Sequence, residues 1–379
     1  MRIGFYAPLK PPHHPVPSGD RLVARLLMRA LVLAGHSVEL MASVRTYCAT
    51  PGLLPEAERA AAAASRRLVR MLPARPFAQR PQAWLTYHLY YKAPDWIGPA
   101  VASALDIPYL VAEASSAPKR LAGPWVHGER AVAAALARAD AVLSLNPADE
   151  PAVSAHLDRP DRIRPLLPFL DLDAPPAQPA DRAANRAAVA ARYGLPADRP
   201  WLLAVAMMRE GDKLASYRML GEALARLQDL RWHLVAAGDG PARTAVAAAL
   251  GPRASLVGAL GPAALAEFYA CADILVWPAV NEAFGMALLE ARAAGLPVVA
   301  GDQGGVATIV EHGRSGLVVS PPGAAGIAGA VRELLSDAGR RRAMADYARA
   351  TTAAKHGLAA AAAVLDDALR FVLAHRRQA

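Results

Sequence analysis

Cysteine is almost missing from this sequence: 379 residues contain only Cys48 and Cys271. Two cysteines so far apart suggest no disulfide framework and fit a reducing compartment. Lysine is nearly as scarce, confined to Lys10, Lys92, Lys119, Lys213 and Lys355, so the formal net charge of +9 rests almost entirely on arginine. Aromatic residues make up 6% of the chain. They are not interleaved with basic residues in the manner of a stacking surface, and no nucleic-acid module is present, so nucleic acid is not an expected partner. No apolar run reaches the length of a membrane span. The chain opens on Arg2-Ile3-Gly4-Phe5-Tyr6, which reads as a strand and not as a signal peptide, so a cytoplasmic protein is expected. No G-x-G-x-x-G loop occurs, which argues against dinucleotide binding of that type. No His/Cys cluster has metal-ligand spacing, so no metal is expected. A basic chain of this length has room for two domains and suits anionic partners, either small phosphorylated molecules or an acidic membrane face.

The most informative stretch present is Asn281-Glu282-Ala283-Phe284-Gly285-Met286-Ala287-Leu288-Leu289-Glu290. Asp273 to Trp277 before it reads as a buried strand closed by Pro278, and Leu296 to Ala300 after it reads as the next strand. The polar loop therefore lies at the carboxyl end of a parallel strand, where open α/β sheets bind ligands. The amides of Phe284, Gly285 and Met286 are expected to be the unpaired first N–H groups of the following helix, facing a diphosphate. Either glutamate alone is more simply a surface residue; together, in a strand–loop–helix frame, they point to a site.

Glu-x7-Glu, written here as EAFGMALLE and followed by ARAAGLPVVA, closely resembles the retaining family-four glycosyltransferases of GT-B fold. The resemblance extends over most of the chain and is dense from about Arg209 to Gly316. It implies an α/β fold of two Rossmann-like doubly wound domains facing across a cleft. It also implies transfer of a sugar from a nucleoside-diphosphate sugar to an acceptor hydroxyl, with retention at the anomeric carbon, in cell-envelope glycan or glycolipid synthesis. Carried over, Glu282 contacts the donor sugar and Glu290 holds the ribose hydroxyls. Arg209 and Lys213 meet the donor diphosphate, and Phe284 to Ala287 supply the loop around it. Gly19, Gly238, Gly258 and Leu260 are further donor-side positions. No cofactor is implied; the donor is a substrate, expected as a UDP-sugar. A non-hydrolysing epimerase on the same architecture, or a catalytically silent nucleotide-binding protein, is the alternative.

In chain order, residues 1–44 read as strand, proline-rich loop, helix, strand, with Ser18-Gly19-Asp20 where the family often carries Gly-Gly. Asp20 there is a candidate helix N-cap. Residues 56–80 carry Arg59, Arg66, Arg67, Arg70, Arg75 and Arg80 among apolar residues, either a solvated helix or a patch for a membrane surface. Tyr90 to Trp96 follows a strand and combines aromatics with Lys92 and Asp95, fit for an acceptor groove. Many family members place a histidine after the strand that here spans Pro108 to Ala112. Glu113 or Ser115 stands there instead, and His88 is a substitute. The acceptor is expected to be a glycan or lipid-linked hydroxyl, and the protein to work at the inner face of the membrane. Arg164 to Pro176 reads as a connector, which divides the chain into domains at 1–170 and 171–355 and leaves 356–379 as a helix crossing back to the first.

Overall fold

The computed structural model describes residues 1–16, 18–172 and 182–376. It divides into two compact units, Met1–Phe169 together with Leu358–Ala379, and Leu170–Gly357.

In the first unit six parallel strands form one sheet: β1 (Arg2–Tyr6), β2 (Ser37–Ala42), β3 (Ala83–Leu89), β4 (Tyr109–Ala114), β5 (Ala141–Ser144) and β6 (Ile163–Pro165), in the order β2-β1-β3-β4-β5-β6. β3 and β4 are buried nearly throughout, as strands covered by helices on both faces must be. The Gly19–Leu33 helix packs against the final Leu358–Arg376 helix. The latter buries Leu365, Leu369 and Val372, each worth roughly 1.5–3 kcal/mol when removed from water. An ion pair from Asp367 to Arg164 ties that helix down further.

In the second unit the strands are β7 (Trp201–Val205), β8 (His233–Ala237), β9 (Ala254–Gly258), β10 (Ile274–Trp277), β11 (Val298–Gly301) and β12 (Gly316–Val319), again all parallel, in the order β12-β11-β10-β7-β8-β9. Arg292, 1% exposed, is a structural hub here. It donates to Glu311 and Thr351, each at 2.8 Å, and to the Ile309 carbonyl. The Met286–Ala293 helix is thereby bound to the Ala338–His356 helix.

Several local expectations change. Ser18, not Asp20, caps the first helix, its side chain accepting from the Arg21 amide. That frees Asp20 to turn inward. β4 runs on to Ala114, so Glu113 ends a strand instead of opening a loop. β6 lies within the proline-rich connector, whose part beyond residue 172 is outside the described residues. Asp95, expected to line a groove, is 2% exposed and saturated by Thr86, Tyr109 and the Ile97 and Gly98 amides. It pins the turn after β3 in place.

Candidate active site

Strand order reverses direction once in each sheet, between β7 and β10 in the second unit and between β1 and β3 in the first. At such a point the two flanking loops diverge and leave a crevice beyond the carboxyl ends of the strands.

In the second unit the loops at that crevice follow β7 and β10, and they carry Arg209, Lys213 and Glu282. Lys213 lies in the first turn of the Asp212–Ala225 helix, where a cation opposes the helix dipole. It is compensated by Glu282, with which its Nζ forms an ion pair. The Trp277 indole donates to the same Glu282 oxygen at 3.2 Å, and the Lys213 ammonium stands 5.5 Å over the Trp277 ring. Two further bonds stitch the loops together: the Val280 amide to Ser216 Oγ at 3.0 Å and Asn281 Nδ2 to Asp212 Oδ2 at 3.1 Å. The Arg209 side chain is exposed and has no hydrogen bond or ion pair among the described residues.

The β10 loop is bent by left-handed residues, with φ of 59° at Ala279, 50° at Asn281 and 75° at Gly285. For Ala279 this costs about 1–2 kcal/mol. Gly285 caps the Met286–Ala293 helix. The Leu288 amide already bonds the Gly285 carbonyl at 2.9 Å, so the free first-turn amides are those of Met286 and Ala287. Phe284 is thus corrected: it precedes the helix, and its side chain is buried, 7% exposed. Gly304 braces the loop from behind, since an added Cβ would lie 2.2 Å from the Glu282 carbonyl oxygen. Gly238 is a brace of the same kind, leaving 1.9 Å between an added Cβ and the Ala206 carbonyl. Its amide bonds the Gly258 carbonyl at 2.8 Å. Leu260 is half-buried just beyond.

Glu290 accepts a hydrogen bond from the Tyr269 hydroxyl at 2.7 Å through Oε2. Burial raises its carboxyl above the usual range and outweighs the Tyr269 bond, which pulls the other way. Its second oxygen has no partner among the described residues.

In the first unit the crevice between β1 and β3 holds an acidic cluster. His88 Nδ1 is 3.2 Å from Asp20 Oδ1 and 3.8 Å from Glu113 Oε1. Neither contact is aligned as a hydrogen bond to Nδ1, and both Nδ1 and Glu113 Oε2 are buried without a hydrogen-bond partner. Burial lowers the imidazole, but the charge of Glu113, with Asp20 and Asp149, overcomes this and raises His88 to about 9. Burial raises the carboxyls of Glu113 and Asp149. Burial also raises Asp20, yet the close approach of the charged His88 brings it below its usual value. His88 and Glu113 sit at the ends of adjacent strands with φ of 63° and 58°. A non-glycine residue so placed costs on the order of 1–3 kcal/mol and persists only where the surroundings enforce it.

The other acceptor-side candidates divide. Lys92 lies over the rings of Trp125 and Tyr91, 5.3 and 5.7 Å from their centroids. Ser115 bonds only through its backbone amide, to Leu89; its neighbour Ser116 is the hydroxyl in a network, with Glu129 and His156. Gly19 begins the first helix with open space around its α-carbon. Sequence reasoning passed over Trp277, Tyr269 and Asp149. Tyr269 lies 21 residues before Glu290 on a different helix, and no local spacing signals such a contact. Among the described residues no three His, Cys, Asp or Glu side chains are grouped to hold a metal ion. The connector's Asp171-Leu172-Asp173 has an Asp-x-Asp spacing, but residue 173 lies outside the described residues.

Known proteins resemble this chain in both sequence and fold. The family model for glycosyl transferases group 1 matches residues 199–337. A D-inositol 3-phosphate glycosyltransferase of Xylanimonas cellulosilytica is 32% identical over 311 residues, spanning 76% of this chain and 73% of that protein. An alpha-D-kanosaminyltransferase of Streptomyces kanamyceticus is 33% identical over 187 residues, 48% of each chain. Among solved structures, sucrose-phosphate synthase from Thermosynechococcus elongatus superposes with a TM-score of 0.73 at 21% identity, covering 99% of this chain and 100% of that one. Anabaena HepE in complex with UDP-glucose gives 0.72 at 17% identity, covering 98% and 99%. With its two six-stranded parallel sheets and this level of identity over most of a relative's length, the chain belongs to the glycosyl transferases of group 1, the family-four type with GT-B fold.

Proposed function

We propose that this glycosyltransferase moves a sugar from a nucleoside-diphosphate sugar, a UDP-sugar in the first instance, to an acceptor hydroxyl with retention of configuration. The observation that carries the reading is the joining of Lys213 to Glu282 across the β7–β10 crevice, beside the exposed Arg209 and the free amides of Met286 and Ala287. These groups suit a diphosphate leaving group, which needs charge stabilisation as its bond to the sugar breaks. When the donor arrives, Lys213 turns from Glu282 toward phosphate, and Glu282 is released to the sugar hydroxyls. The free oxygen of Glu290, oriented by Tyr269, takes the ribose.

The C1–O bond to phosphate breaks and a C1–O bond to the acceptor forms on the same face. The acceptor proton passes to the departing diphosphate. His88 and Glu113 serve the acceptor: the orphaned Glu113 oxygen accepts from its hydroxyl groups, and the charged imidazole keeps the carboxyls around it in place. No metal or cofactor takes part. Where the acceptor is lipid-linked, the exposed Arg66, Arg67 and Arg70 with the exposed Phe77 meet an anionic membrane surface, as in envelope glycolipid synthesis.

The test is thermal unfolding with UDP, GDP, ADP and dTDP in turn. A nucleotide at a hundred times its dissociation constant stabilises by about 2.7 kcal/mol. The expected outcome is a shift with UDP that Glu290→Ala removes. A folded protein that responds to none of the four overturns the reading.

A further inference from the structure

On the opposite edge of the second unit, at the amino ends of β10 and β11, lies a cavity of about 310 Å³. Its wall holds four arginines, Arg182, Arg341, Arg342 and Arg349, and one carboxylate, Asp273. Among the described residues the charge is not balanced from within. Asp273 is shared between Arg182, at 3.0 Å, and Arg186, at 2.8 Å. Arg341 donates from Nη1 to the Leu334 and Leu335 carbonyls and meets no carboxylate among the described residues. The Arg342 side chain is exposed, with neither an ion pair nor a hydrogen bond among the described residues. Arg349 pairs with Asp346, outside the wall, and its side chain lies against the turn at Gly295. An added Cβ at Gly295 would stand 2.2 Å from Arg349 Nη1, and the residue already needs its φ of 72°. Glycine there suits the left-handed turn and leaves room for the arginine as it lies.

Guanidinium groups present planar forks that match phosphate oxygens two at a time. A concave wall of one sign concentrates the opposite charge. The volume lies at the lower end of the range for small-molecule sites, which suits a diphosphate or a sugar phosphate. We infer that this cavity binds a small phosphate-bearing ligand, at a site separate from the Lys213–Glu282 crevice, and that it communicates with Glu290 through Tyr269. Tyr269 lines the cavity, and its hydroxyl holds Glu290 at 2.7 Å. A ligand that orders the cavity holds Tyr269, and with it the Glu290 oxygen offered to the nucleotide. The communication rests on the proposed role of Glu290; the cavity itself does not.

Titration calorimetry with sodium pyrophosphate and with glucose 6-phosphate, in the presence of saturating UDP, tests this. One equivalent of at least one probe binds the wild type, and Arg342→Glu and Arg349→Glu each weaken it by about tenfold. Saturating that probe tightens UDP by about fivefold, UDP tightens the probe by the same factor, and Tyr269→Phe abolishes both effects. Binding fully displaced by UDP, or unchanged in both arginine variants, overturns the cavity. Binding that leaves UDP affinity unmoved overturns the communication alone. If UDP itself does not bind, the proposed function fails, and the cavity is tested in a Lys213→Ala background with the same arginine variants.

Discussion

At the β7–β10 crevice a lysine, an indole and a glutamate are locked to one another, and the loops carrying them are sewn together by side-chain bonds. At the β1–β3 crevice one imidazole stands among carboxyls with its Nδ1 lacking an aligned hydrogen bond. The same topological rule places both, yet the first pairs Lys213 with Glu282 while the second leaves His88 Nδ1 and Glu113 Oε2 without a hydrogen bond. In the first, the charges of Lys213 and Glu282 pair internally, which under the proposed function holds them ready for the donor. The second keeps displaced protonation states and strained backbone in reserve, which suits a partner whose hydroxyls must be gripped and released.

The largest effect that sharpens this contrast is at Lys213. Lys213→Ala should cut transfer by roughly 10²–10³-fold, the cost of losing one preorganised charge at a developing anion. Initial rates with the nucleotide-sugar identified by thermal shift measure it. A loss below about tenfold would mean that the diphosphate is held elsewhere. Next comes Glu113→Gln, which should raise the acceptor KM by about tenfold while leaving nucleotide affinity unchanged. An equal loss in nucleotide binding would erase the division of labour between the crevices. The smallest effect is on stability. His88 has a folded-state value of about 9 against about 6.5 unfolded. Its contribution is therefore fully present below about pH 6.5 and is lost as pH rises through about 9. Melting temperature should fall more steeply between pH 7 and 10 in the wild type than in His88→Asn, a residue that tolerates the left-handed backbone. Parallel curves would show that His88 is not held charged by Asp20, Glu113 and Asp149.

Much of the second unit was legible because its site is local. Glu282, Gly285 and Glu290 fall within one strand–loop–helix segment, and a helix start announces free amides. What escaped was the one-residue delay that Gly285 imposes, which takes Phe284 off the helix end, and the brace from Gly304, which comes from the next strand. The first unit was harder. Its acidic cluster joins a helix start to the ends of two strands, so Asp20 read as a cap until Ser18 was seen to hold that place. Backbone strain at Glu113 has no signal in residue type, and at His88 only a weak one, since histidine enters the left-handed region more often than most side chains.

The final helix adds a matter of timing. Residues 358–376 complete the unit that residues 1–169 begin, so a ribosome must deliver everything between before that unit can close. The intervening unit, contiguous in the chain, is free to fold as it emerges. Until then the Gly19–Leu33 helix waits with Leu26, Leu27 and Leu31, buried in the finished protein, lacking its last neighbour. A released chain ending at residue 357 should carry a finished Leu170–Gly357 unit and a sticky, chaperone-dependent partner.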